Sequence, residues 1–179
     1  MKTVFIALLF FSISYFSFAQ SADYKAEIHL NLPDTSLHSF NSVTKTDAVL
    51  ILGGPVILKD SIWKYEGGNW NFHCVYLTVK KDSLNQSGRL FFSFEKYRKI
   101  AEAKRFYDLM KVQNINISEI HSVDQLGEES FLVYDVLGNP FLMIRKESRI
   151  YKLKVYQHLN DTDLKNFLNL GNKLISSNE

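Results

Sequence analysis

The chain has 179 residues, the length of one domain, and its 46% hydrophobic and 22% charged residues supply a packed core and argue against disorder. A net charge of only +2 argues against a nucleic-acid partner, which needs a strongly basic surface. The single cysteine, Cys74, excludes an internal disulfide framework and a zinc site built on several thiolates.

Met1 and Lys2 form a short basic start, Val4 to Phe18 is an apolar run, and Ser17-Phe18-Ala19 places small residues where a signal peptidase reads. These features predict a signal peptide over residues 1–19, cleavage after Ala19, and export to the periplasm or the extracellular medium. The other long apolar stretch, Ala48 to Leu58, is broken by Gly53-Gly54-Pro55, so no stable membrane span is expected after cleavage. Residues 20–42 read as a polar arm, in which Ile28, Leu30 and Leu32 alternate as a short edge strand would. Residues 43–179 read as one domain.

In that domain Thr44-x-x-Asp47 is a helix-start signal, Ala48 to Leu52 is apolar, and Gly53 is a stop; the expectation is a short buried helix, with a strand as the competing assignment. Ser61 to Glu66, Trp70 to Lys80 and Arg89 to Lys96 read as strands. Along the second of these, Phe72, Cys74 and Tyr76 share a face with Trp70, while His73, Val75 and Leu77 take the other. Tyr97 to Val112 is the clearest helical pattern. Ile100, Ala103, Tyr107 and Met110 form its stripe and Phe106 and Leu109 widen it. A short strand is expected near Ile117 to Ile120, then strands at Ser130 to Val136, Phe141 to Lys146 and Arg149 to Gln157. A last helix is capped by Asn160 or Asp161, with Leu164, Phe167, Leu168, Gly171, Leu174 and Ile175 on one side. The fold class is therefore α+β: an antiparallel sheet of about six strands with two or three helices packed on it. The order helix, three strands, helix, three strands, helix admits a degenerate α-β-β-β duplication, or chance likeness.

The phrases TKTDAVLILGGPV (Thr44 to Val56), WNFHCVYL (Trp70 to Leu77), AEAKRFYDLM (Ala101 to Met110), VDQLGEESFLV (Val123 to Val133) and PFLMIRK (Pro140 to Lys146) carry a family resemblance in that order. The region from about Thr44 to Leu170 resembles small secreted bacterial domains, including extracellular sensor domains of receptor-type Ser/Thr kinases and lipoproteins of unknown function. The resemblance implies a helix-decorated antiparallel sheet with a binding or sensing role. The chain lacks the lipid-anchor cysteine and the disulfide pair of that pattern.

No local motif carries chemistry: G-x-S-x-G, H-E-x-x-H, a Walker loop and G-x-G-x-x-G are all missing from the sequence. Glu128 and Glu129, read as strand neighbours, are expected to point apart and so not to act together. His29, His38, His73, His121 and His158 show no metal-ligand spacing, and no metal or cofactor is expected. The expected function is a secreted, non-catalytic binding or interaction module; the alternative is a secreted hydrolase with a site assembled across the fold. A two-residue turn at Glu147-Ser148 would pair Arg145 with Ile150, Met143 with Lys152 and Phe141 with Lys154, placing these six on one face of the final hairpin. That face mixes cations with apolar groups. It reads either as a solvated surface or as a contact for an anionic partner, such as an acidic protein, a charged glycan or a lipid headgroup.

Overall fold

The computed structural model describes residues 42–83, 85–115 and 118–176. The expected signal peptide, the arm as far as residue 41 with its Ile28-Leu30-Leu32 strand, His29 and His38 lie outside them. The elements run α1 (Lys45–Leu52), β1 (Val56–Glu66), β2 (Asn69–Lys81), β3 (Ser87–Lys96), α2 (Ile100–Ile115), β4 (Ile120–Ser122), β5 (Glu129–Tyr134), β6 (Pro140–Lys146), β7 (Arg149–Tyr156) and α3 (Asp161–Ser176). The fold is α+β: among the described residues one antiparallel sheet of seven strands, in the order β1-β2-β3-β7-β6-β5-β4, with helices on both faces. Among the described residues no helix is long and apolar enough to cross a membrane.

Helix α1 forms for the reason its sequence gives. The Thr44 hydroxyl oxygen accepts the Asp47 N–H, the Asp47 carboxylate accepts the Thr44 N–H at 2.8 Å, and Gly53 ends the helix in the left-handed region at φ 69°. Ala48, Ile51 and Leu52 are buried against the sheet, so the helix reading holds over the strand. Helix α3 packs beside α1 on the same face. The Asp163 N–H donates to the Asn160 side chain at its start, and Phe167, Leu170, Leu174 and Ile175 are buried. Beneath the two helices lie Phe72, Cys74 and Tyr76 from β2, Leu90, Phe92 and Phe94 from β3, Tyr151, Leu153 and Val155 from β7, and Leu142 and Ile144 from β6. Cys74 is buried between Phe72 and Tyr76 as the alternation requires, and burial pushes its thiol pKa up to about 12.

Helix α2 lies on the opposite face, over Phe131 and Val133 of β5, Met143 of β6 and Ile150 of β7. It starts at Ile100 rather than Tyr97, and its buried stripe is narrower than the sequence suggests. Ala103 and Tyr107 are buried and Phe106 and Met110 half-buried, whereas Ile100 and Leu109 stand more than half exposed. One helix resting on three strands cannot cover a stripe that wide.

Strand β1 begins five residues before the expected Ser61. A β-bulge between Leu58 and Asp60 inserts Lys59 and switches which parity of residue faces which side, hiding the strand from an alternation test. The strands mirror one another about the β3–β7 pair, with β1-β2-β3 on one side and β7-β6-β5 on the other. The helices that precede these two groups, α1 and α2, sit on opposite faces, so the likeness of the two halves is one of strand order alone.

Candidate binding face

The final hairpin adopts the expected register. Arg145 lies opposite Ile150, Met143 opposite Lys152 and Phe141 opposite Lys154. Alternation then puts all six side chains on the α2 side of the sheet, and here the structure corrects the expected exposure. Met143 and Ile150 are fully buried beneath α2, Arg145 is 6% exposed and Phe141 is half-buried against the same cluster. The six residues form the floor under a helix, because Ala103 and Tyr107 need an apolar surface and these strands supply one.

The cations on this face are already engaged. Lys152 donates to the Glu95 carboxylate, its ammonium stands 5.3 Å from the Phe106 ring centroid, and the Tyr97 hydroxyl donates to the same carboxylate at 2.5 Å. Burial, then Glu95 beside it, pushes the Tyr97 phenol above its ordinary range. Lys154 lies 3.1 Å from Asp135 and 4.7 Å from the centre of the Tyr156 ring.

Arg145 has the most demanding environment. Its Nε donates to Glu129 at 2.6 Å, its Nη1 stands 2.5 Å from Glu128 and also donates to the Glu147 carbonyl at 3.1 Å. Glu128 and Glu129 therefore do converge, contrary to the strand-neighbour expectation. Glu128 precedes β5, and Gly127 turns the chain at φ 68°, so the alternation of a strand does not govern the pair. A side chain at residue 127 would also meet the Arg145 carbonyl oxygen, 2.6 Å from an added Cβ. Burial raises the pKa of Glu129, but Arg145 and Lys104 outweigh it and hold the carboxyl below its ordinary range. A polar depression of about 260 Å³ opens beside this cluster, lined by Tyr107, Lys111, Asp124 and Glu129 among others. With Glu129 committed to two cations, the cluster is built as an anchor for the α2 side of the sheet.

A row of polar groups crosses the sheet from the strand beside α2 outward: Lys152 on β7, Ser93 on β3 and His73 on β2 lie opposite one another. Ser93 is buried. The Lys152 ammonium turns to Glu95, and the His73 ring lies against Phe91 with its Nε2 3.8 Å from Asp60. Among the described residues neither is hydrogen-bonded to Ser93. His121 and His158 are exposed, and His73 and Cys74 face opposite sides of β2.

Beyond that row the same face continues over β1, β2 and β3, where no described helix covers it. Ile57 pairs with Leu77, Asp60 with Val75, Ile62 with His73, and Val75 in turn with Phe91. Ile57 is 51% and Ile62 45% exposed; Val75, Leu77 and Phe91 are half-buried. The open face is thus an apolar strip with a histidine and a carboxylate set in it and Arg89 opposite Leu77 at its border. It carries none of the six residues singled out from the hairpin. Its sequence signal was the second face of Trp70 to Lys80, where polar residues give way to apolar ones. Comparison with known proteins finds no family, no curated protein and no solved structure that matches this chain.

Proposed function

We propose that this chain is an exported, non-catalytic binding module, and that its contact surface is the open half of the α2-side sheet face. The observation that carries the reading is the strip of exposed Ile57 and Ile62 with half-buried Val75, Leu77 and Phe91, which no described helix covers. Contiguous apolar surface of this kind, rimmed by polar groups, marks interaction sites in folded proteins. The partner we propose is another protein. The strip itself is chiefly apolar, with exposed Arg89 opposite Leu77 and Lys64 two residues beyond Ile62 at its rim, which suits a protein surface better than a charged glycan or lipid headgroup.

A photo-crosslinking residue at Leu77, compared with one at the exposed Lys165 of α3, tests the reading in the exported fraction of living cells. The expected result is a chain that begins at Gln20 by intact mass and an adduct of discrete mass from position 77 alone. Equal products from both positions, or recovery only of chain retaining Met1 to Ala19, would overturn it.

A further inference from the structure

We propose that the chain pairs with a second copy of itself through the outer edge of β1, in an antiparallel register centred on Ile62. Strand β1 ends the sheet, and among the described residues its hydrogen-bonded neighbour is β2 alone. The other outer strand, β4, has three residues; β1 has 11, enough to template a further strand. The bulge at Lys59 bounds its regular part on one side and the Gly67-Gly68 turn on the other, leaving Asp60 to Glu66 as the pairing segment.

Two copies of one edge strand meet about a two-fold axis perpendicular to the sheet, so each residue opposes one on the same face. In the Ile62-centred register Asp60 opposes Lys64 of the second copy, and this happens twice. Ser61 opposes Trp63, a small residue beside a large one, and Ile62 meets itself. Centring on Ser61 sets Asp60 against Ile62 and loses both opposite-charge pairs, and the registers on the other side do worse. Centring on Trp63 sets Asp60 against Glu66, two carboxylates, and centring on Lys64 sets that lysine against itself. Opposite charges directly across a strand pair stabilise it and like charges destabilise it. The groups are available for the exchange: Lys64 is largely exposed and its partner is the similarly exposed Glu66, while among the described residues the ion-pair contact of Asp60 is a long one, 3.8 Å to His73. Pairing would also cover the exposed Ile62. This inference does not rest on the proposed partner protein, and Ile62, at the border of the sheet face, is the residue the two surfaces share.

The test is sedimentation of the full chain, with whatever processing the cell gives it, over a range of concentrations. Wild type is expected to dimerise. Lys64→Asp alone opposes Asp60 with a second aspartate, and Asp60→Lys alone opposes two lysines, so each should weaken self-association by at least about tenfold. Mixing the two variants restores opposite charges at both positions, and the mixture should form a heterodimer of wild-type strength. Circular dichroism checks that each variant is folded, and Lys64→Asp, at an exposed position, keeps the test open if Asp60→Lys is not. A wild type that stays monomeric to its solubility limit would overturn the proposal, the bulge and lysines then acting to keep the edge unpaired. So would a dimer indifferent to Lys64→Asp, or a mixture of folded variants that fails to associate.

Discussion

Phe167→Ala should lower the stability of the domain by about 3–5 kcal/mol. Phe167 is fully buried in α3, in the core shared with α1 and the centre of the sheet. Truncating it removes the ring's transfer energy and leaves a cavity whose walls cannot close. The sheet beneath is fixed by β3, β7 and β6, and Gly171 already brings α3 within contact of Leu142 and Ile144. Because a native domain is stable by only about 5–15 kcal/mol, the loss is a large share of the total. Thermal unfolding followed by circular dichroism should show a midpoint lower by on the order of 10 °C or more. An unchanged midpoint would mean that α3 is not part of the cooperative unit.

Arg145→Met should cost about 2–4 kcal/mol at neutral pH, somewhat below the loss usual for breaking a buried pair, because Glu128 is half open to water. The loss should depend on pH with a definite sign. The folded state holds Glu129 below its ordinary carboxylate range, so its contribution is present above about pH 4.5 and is lost as pH falls through the lowered folded value. The stability gap between wild type and Arg145→Met should therefore narrow in acid, and urea unfolding at pH 7 and pH 3 measures it. Adding Glu128→Gln and Glu129→Gln to Arg145→Met should recover part of the loss at pH 7, since the carboxylates are then no longer left without their cation. A gap of equal size at both pH values would show that Arg145 acts through packing alone.

Much of the fold was legible because its local signals agree. Thr44, Asp47 and Gly53 bracket α1, Glu147-Ser148 sets the register of the last hairpin, and of the expected α3 stripe Phe167, Gly171, Leu174 and Ile175 are buried, with Leu170 added and Leu164 and Leu168 partly buried. What escaped is what depends on partners far away in sequence. Lys59 shifts the phase of β1 only because β2 lies beside it. Ile100 and Leu109 fit a helical stripe, but the width of the sheet beneath decides which of them is covered. The same limit governed the candidate face. Phe141, Met143, Arg145, Ile150, Lys152 and Lys154 do share a side, yet periodicity states only that a side is shared. That α2 would lie over it, and that no described helix would cover this face of β1 to β3, depends on the crossing of Ala103 and Tyr107 over Met143 and Ile150. Glu128 and Glu129 were misread because strand geometry was carried one residue past the point where β5 begins.

The order of the strands also fixes when the molecule can become whole. Strand β7 joins the two halves of the sheet, yet it is the last strand to be made. The ion pair that spans the junction, Glu95 with Lys152, links residues 57 positions apart. At a synthesis rate of about 5–20 residues per second, some 3–11 seconds pass between the two. Throughout that interval the inner border of β3 stands without its neighbour, with Phe92 and Phe94 beside it still in water. A nascent chain of this protein therefore exists for seconds before the strand that closes this border has been made, and over that interval the apolar side chains of β3 depend on something other than β7 to shield them.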